Sequence, residues 1–251
     1  MAALTTHLLT VAEVVAETPD ACSIAFDAEL DYRPGQFLTL RVPSERTGSV
    51  ARCYSLCSSP HVGDRPQVTV KRTAGGYASN WLCDNVAAGD TIEVLAPSGV
   101  FGPKHYDDDL LLVAGGSGIT PVMSVLKSAL ARGEREVALV YANRDEPSVI
   151  FAEQLRGLAE RYPGRLTVAH WLESERGLPS VADLAGLAAA HADHDAFLCG
   201  PQPFMKAVVE ALTELGVPRE RRHMERFVSL AANPFERAEQ ARAAAATAAA
   251  D

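Results

Sequence analysis

The sequence predicts a β + α/β protein of 251 residues, a small antiparallel β unit followed by a doubly wound parallel sheet. Three observations carry this. Short strand-like runs separated by turn residues fill the first hundred positions. Beyond Pro97-Ser98-Gly99, near-continuous apolar runs alternate with helical stretches. One of those runs passes directly into a glycine-rich turn and then a helix.

The strand-like runs are Leu8–Val15, Cys22–Phe26, Gln36–Val42, Cys53–Ser58, Val68–Lys71 and Thr91–Leu95. Thr18-Pro19-Asp20, Arg33-Pro34-Gly35, Pro43-Ser44, Gly63-Asp64 and Gly89-Asp90 punctuate them, a spacing that fits a small barrel or a sandwich. One helix interrupts the pattern at Ser79–Val86, where apolar residues stand three and four apart. In the second half Leu110–Ala114, Val137–Ala142, Leu166–His170 and Ala196–Cys199 read as parallel strands covered on both faces. Helices are expected at Pro121–Ala131, Phe151–Tyr162, Val181–Ala190 and Pro203–Leu215. The change of pattern divides the chain into 1–104, 105–231 and an Ala-rich stretch, 232–251, expected to be a linker or tail.

With 23 basic against 32 acidic residues, the formal charge of −9 excludes a nucleic acid or an anionic membrane as the main partner. No apolar run reaches the ~20 residues of a membrane span, and the N-terminus does not read as a signal peptide. The five cysteines form no C-x-x-C pair and read as reduced thiols, which places the chain in the cytoplasm. The seven histidines, His191 and His194 among them, show no metal-ligand spacing, so no metal is expected.

Three motifs could carry chemistry. The strand Leu110–Ala114 runs into Gly115, Gly116 and Gly118, with Thr120 as a candidate N-cap and Pro121 at the first helical position. Free N–H groups and the dipole at that helix start favour a phosphate. Arg52 and Tyr54 place a guanidinium beside a phenol, suited to an anion and a flat ring. The run from Val70 to Trp81 ends a strand in Lys71 and Arg72, turns at Gly75-Gly76, and offers Ser79 as a cap at a second helix start. The alternatives are a tight glycine turn, an exposed Arg–Tyr pair, and a solvated Lys–Arg pair with an ordinary cap. Two phosphate-ready sites in two units would let two dinucleotides face each other across a cleft.

Arg52-x-Tyr54-Ser55, Gly76-Tyr77-Ala78-Ser79, Gly115-Gly116-Ser117-Gly118-Ile119-Thr120-Pro121 and Cys199-Gly200-Pro201 stand in the order that resembles the ferredoxin–NADP reductase superfamily. Ala78–Asp84 and Tyr141–Asp145 are similar to the reductase components of steroid-hydroxylating and phenylacetate-type oxygenases. This resemblance implies an antiparallel β-barrel FAD-binding domain followed by a doubly wound NAD(P)-binding domain. It implies an FAD-dependent reductase that takes a hydride from NADH or NADPH and passes electrons to an iron–sulfur carrier of an oxygenase component. Arg52 would hold the FAD pyrophosphate, Tyr54 would stack on the isoalloxazine, and Ser55 would bond near it. Gly76, Tyr77, Ala78 and Ser79 would cradle the pyrophosphate, with Val70, Lys71 and Arg72 beside them. Gly116, Ser117, Gly118, Ile119 and Thr120 would bind the nicotinamide cofactor's phosphates. Cys199, followed by Gly200 and Pro201, would border the nicotinamide, and Glu225 and Phe227 would approach the flavin; by composition alone, His223–Phe227 is an edge strand.

One departure is plain. Plant-type [2Fe-2S] ligation needs C-x4-C-x2-C plus a fourth cysteine, and none of the five stands so; the cluster is not expected in this chain. The Ala-rich tail resembles the place where such a module begins. Arg144 could grip a 2′-phosphate while Asp145 and Glu146 could take a free 2′-hydroxyl, which leaves NADH against NADPH open with a lean to NADH. The alternative readings are a flavoprotein subunit feeding another dehydrogenase and a non-catalytic nucleotide-binding module.

Overall fold

Six strands make an antiparallel sheet: β1 (Thr6–Thr18), β2 (Ala21–Phe26), β3 (Phe37–Ser44), β4 (Gly48–Ser55), β5 (Gln67–Lys71) and β6 (Thr91–Leu95). The computed structural model describes residues 5–230 and 232–236; most of the expected tail, 237–251, lies outside the described residues. The strand order is β4-β3-β6-β1-β2-β5, and an antiparallel bridge between Leu56 and Val68 joins the two outer strands. That bridge closes the sheet on itself, which decides between barrel and sandwich. Inside lie Leu9, Val11, Ile24, Phe26, Leu38, Leu40, Val68, Val70 and Val94. Helix α1 (Tyr77–Asn85) covers one end by burying Ala78 and Leu82.

The second half alternates strand and helix: β7 (Leu110–Gly115), α2 (Ile119–Arg132), β8 (Val137–Asn143), α3 (Ala152–Arg161), β9 (Leu166–Leu172), α4 (Glu173–Arg176), α5 (Val181–Ala188), β10 (Asp195–Cys199), α6 (Gln202–Glu214) and β11 (Arg222–Glu225). All strands are parallel, in the order β11-β10-β7-β8-β9. Every residue of β7 is buried because its side chains alternate between two cores. Leu110, Leu112 and Ala114 pack with α2 and Leu155 of α3; Leu111 and Val113 pack with Leu184 of α5 and with Met205, Val208 and Leu212 of α6. The order reverses between β7 and β10, so their C-terminal ends leave the crevice where α/β sheets bind ligands. The expected edge strand is β11.

Two predicted caps are corrected. Gly116–Gly118 form a 3-10 turn continuous with α2, so the helix starts at Ile119 after Gly118, and Thr120 is already inside it. The Thr120 hydroxyl donates back to the Ser117 carbonyl at 3.0 Å. Likewise α1 starts at Tyr77 with Gly76 in the cap position. Ser79 lies in the first turn, where its hydroxyl accepts from the Thr73 N–H at 3.0 Å and ties down the incoming loop.

The two halves meet through buried polar contacts. The Ser124 hydroxyl of α2 donates to the Ser58 carbonyl at 2.5 Å, Ser128 and Ser59 hydroxyls pair at 2.7 Å, and Lys127 bonds Asp64 at 2.9 Å. Phe101 sets its edge on Phe197, ring centroids 5.5 Å apart. The chain then returns from β11 to the barrel, where Asn233 donates to the Ser49 carbonyl at 3.1 Å and Phe235 is buried under Arg41. Among the described residues no helix is long and apolar enough to cross a membrane.

Candidate active site

The end of β4 and the start of α1 enclose one cavity of about 340 Å³. Arg52, Cys53 and Tyr54 form one wall; Lys71, Thr73 and Gly76–Ser79 form another; Phe227–Leu230, arriving from β11, form the third. A second cavity of about 1170 Å³ shares Arg52, Gly76 and Tyr77 with the first and continues past Trp81 and the loop Pro43–Gly48. The two share a guanidinium and a helix N-terminus, a place for an anion. The Tyr77 hydroxyl donates to the Pro43 carbonyl at 2.8 Å and holds one wall of the second cavity. Burial pushes the Tyr54 phenol well above its usual range, so it stays a neutral, flat surface.

Across the cleft, Gly116 has φ +52°, a left-handed conformation that glycine adopts without strain. The Tyr141 hydroxyl donates to the Gly116 carbonyl at 3.2 Å and fixes that turn. The ammonium of Lys71, from the barrel, stands 3.5 Å from where a Cβ on Gly116 would be. A cation from one half thus meets the glycine turn and helix N-terminus of the other. Gly115 and Gly200 pack against Phe204, and Gly115 also against Pro201, which leaves their backbone close to the crevice.

Cys199 and Glu225 are direct neighbours on β10 and β11. Burial first, and Glu225 second, push the Cys199 thiol far up, so it is a neutral wall. Burial also raises the Glu225 carboxyl. Burial raises the Cys53 thiol of the barrel, and the Glu225 charge adds to it, so Glu225 acts on groups of both halves.

The structure therefore brings together Arg52, Tyr54, Lys71, Gly76, Tyr77, Ala78, Ser79 and Phe227 on one side, and Gly116, Ser117, Gly118, Cys199, Gly200, Pro201 and Glu225 on the other. It does not bring in every expected residue. Arg72 turns away to Asp84, 2.6 Å off on α1, because that carboxylate is its available partner. Val70 points into the barrel core, and Ile119 and Thr120 are buried in α2. Ser55 is buried and does not line the cavity. Arg144 follows β8 and is mostly exposed, its guanidinium held by Asp145 at 2.9 Å and Ser148 at 3.0 Å, with Asp20 at 3.7 Å. The sequence reading missed Trp81, the Pro43–Gly48 loop and Val228–Leu230; in sequence these are an amphipathic-helix residue, an ordinary hairpin turn and a polar–apolar tail.

A closed barrel with an anion-ready cavity, docked on the switch point of a parallel sheet, defines a two-cofactor oxidoreductase that binds a flavin and a nicotinamide nucleotide. Residues 12–102 match the oxidoreductase FAD-binding domain family, and residues 112–210 match the oxidoreductase NAD-binding domain family. The chain belongs to the ferredoxin-reductase family, among the reductase components of oxygenase systems. It is 62% identical over 234 residues to the ferredoxin reductase component of 3-ketosteroid-9-alpha-monooxygenase from Rhodococcus rhodochrous, covering 91% of this chain and 67% of that protein. It is 34% identical over 244 residues to a component of 1,2-phenylacetyl-CoA epoxidase from Escherichia coli, covering 89% and 68%. A crystallised cytochrome P450 reductase from Amycolatopsis superposes with a TM-score of 0.74 at 27% identity, covering 90% of this chain and 72% of that one. The chain thus spans about two thirds of the length of these curated relatives.

Proposed function

We propose that the chain draws reducing equivalents from NADH through FAD and delivers them to an iron–sulfur carrier serving an oxygenase. The observation that carries this reading is the path of the chain after Cys199 and Glu225: the segment from β11 leaves the nucleotide half beside the Cys199 thiol and becomes a wall of the barrel cavity with Arg52 and Tyr54. Lys71, which lines that cavity, also stands beside Gly116 of the nucleotide half.

Arg52 and the first turn of α1, shared by both cavities, would hold the FAD diphosphate in this reading. Tyr54 backs the flavin ring. Gly116, Ser117, Gly118 and the start of α2 hold the nicotinamide nucleotide's diphosphate, with Lys71 adding a cation from the opposite half. The glycines fit this role because Gly116 holds a left-handed conformation that strains other residues, and a side chain at Gly118 would project into the Cys199 backbone. Held by these residues, the two cofactors would supply hydride transfer and one-electron release, chemistry that is the cofactors' own. The protein positions the rings and keeps water away. Cys199 is 1% exposed and uncharged, so it adds a dry, neutral wall that needs no proton transfer. Glu225 is a half-buried carboxyl of this site, and its charge raises the Cys199 and Cys53 thiols further.

The preference for NADH rests on Arg144. In dinucleotide folds the adenine ribose lies beyond the second strand, and here the guanidinium is already neutralised by Asp145 and Asp20. A 2′-phosphate there would meet two carboxylates, whereas a 2′-hydroxyl could donate to them. The cysteines lack cluster spacing, so the iron–sulfur carrier lies outside these residues. Free thiols fit a reducing compartment, and the chain works in the cytoplasm. The division at 104/105 is supported by family matches that end at 102 and resume at 112.

The test is anaerobic titration of the purified flavoprotein with NADH and NADPH, followed by turnover with a plant-type [2Fe-2S] ferredoxin. The expected result is flavin bleaching at lower NADH than NADPH and one-electron reduction of the ferredoxin. A colourless preparation that binds NAD would instead identify a nucleotide-binding module. A yellow one that NADH reduces but that passes no electrons to the ferredoxin would point to a component of another dehydrogenase.

A further inference from the structure

We propose that Glu136, His191 and His194 form a zinc-binding site at the N-terminal end of the parallel strands, the end opposite the nucleotide crevice. Glu136 immediately precedes β8, and the two histidines lie in the connection between α5 and β10. One ligand atom from each residue lies within 4.8 Å of the others.

His194 is 6% exposed and its Nδ1 stands 2.9 Å from the Asp193 carboxylate. A carboxylate only accepts, so Nδ1 carries the proton and Nε2 presents a lone pair. That Nε2 is buried and, among the described residues, has no hydrogen-bond partner. The Nδ1 of His191 is also buried and unpartnered among the described residues, and it stands 3.7 Å from a Glu136 carboxylate oxygen, beyond hydrogen-bond reach. The rings are edge to face with centroids 4.9 Å apart. Ligand atoms of two imidazoles and a carboxylate therefore lie within 4.8 Å of one another, and each ring holds a buried nitrogen unpartnered among the described residues.

Buried polar atoms are almost always satisfied, so this convergence calls for an occupant. Two nitrogens and an oxygen suit zinc; magnesium and calcium take oxygen ligands. Tetrahedral zinc with bonds of about 2.0–2.1 Å sets its ligand atoms roughly 3.3–3.4 Å apart. The Glu136–His191 pair is nearly at that spacing, and the half-exposed Glu136 side chain can rotate to complete it. The Asp193 carboxylate behind His194 is the kind of outer partner that orients a metal-bound imidazole. Glu136 and Asp193 together match the charge of a dication. Glu136 also fronts solvent, which leaves the fourth position to water. The site would tie the α5–β10 connection to the start of β8.

The experiment uses the flavin-loaded protein, treated with EDTA, dialysed, and titrated with zinc in competition with a chromophoric chelator. One zinc per chain is expected, together with a melting temperature that rises with zinc concentration. His191→Gln and Glu136→Gln should each weaken zinc binding at least tenfold and remove the melting shift, while flavin content and NADH oxidation stay unchanged. Asp193→Asn should weaken it about 10–100-fold, as loss of an outer-shell partner does. No stoichiometric uptake, or uptake unaltered in His191→Gln and Glu136→Gln, would overturn the proposal. Those two variants decide the matter even if His194→Gln, at a buried position, fails to fold.

Discussion

Gly118 passes so close to the end of β10 that a Cβ on it would stand 2.1 Å from the carbonyl oxygen of Cys199. The turn that opens α2 and the strand that carries Cys199 are therefore in backbone contact at the switch point of the sheet. Because both neighbours are main chain, neither can rotate aside.

Gly118→Ala should accordingly destabilise the protein by about 1–3 kcal/mol or more, as overpacking in a rigid place does. It should also impair flavin reduction by NADH while leaving bound flavin in place. Gly157→Ala is the control, since it lies on the exposed face of α3 with open space around it. That change should gain about 0.5–1 kcal/mol from helix propensity. Urea unfolding of both variants checks the pair.

Arg52→Ala should weaken FAD retention by roughly 10–150-fold, the equivalent of about 1.5–3 kcal/mol for a charge-assisted contact. Equilibrium dialysis of free flavin from the variant measures it. Retention equal to the parent protein would remove Arg52 from the site.

Asp145→Ala should release Arg144 from its closest carboxylate. The ratio of kcat/KM for NADPH over NADH should rise about two- to fivefold, the scale of an exposed ion pair. Arg144→Ala should not raise it. Steady-state kinetics with a dye acceptor reads both.

Ser124→Ala should leave the Ser58 carbonyl without its donor inside the junction of the two halves. An unsatisfied buried acceptor costs about 1–3 kcal/mol. For a chain of this size that is a drop of a few degrees to about 12 °C in Tm, read by thermal unfolding.

Glu17 takes the Ser23 hydroxyl at 2.6 Å and the backbone N–H of Phe151, yet burial dominates and raises its pKa above the ordinary 4.5. The folded state then binds the proton more tightly than the unfolded one. The stabilisation is complete below pH 4.5 and is lost as pH rises through the raised value. Glu17→Gln should flatten that slope and gain on the parent protein between pH 4.5 and 7, as urea unfolding at a series of pH values will show.

Much of this architecture was legible in sequence because period and punctuation are local. Runs such as Leu110–Ala114, short, apolar throughout and followed by Gly115, Gly116 and Gly118, read as strands covered on both faces that end in a tight turn. The helix starts differ from expectation for an equally local reason. Thr120 and Ser79 have the composition of caps, but glycine turns let each helix begin earlier, and the hydroxyls became internal ties instead. Arg72 was legible as a cation but not as the partner of Asp84, which only the placement of α1 on the barrel supplies.

The sequence alone determined two halves, their order, and which glycines and cations stand ready for phosphates. Tertiary structure decided that Leu56 and Val68 close the barrel, that Lys71 reaches Gly116, and that the chain after Glu225 returns to wall the barrel cavity. It also brought Glu136 to His191 and His194. These contacts join residues far apart in sequence, and no periodicity records them, because they depend on how finished elements pack rather than on how each one forms.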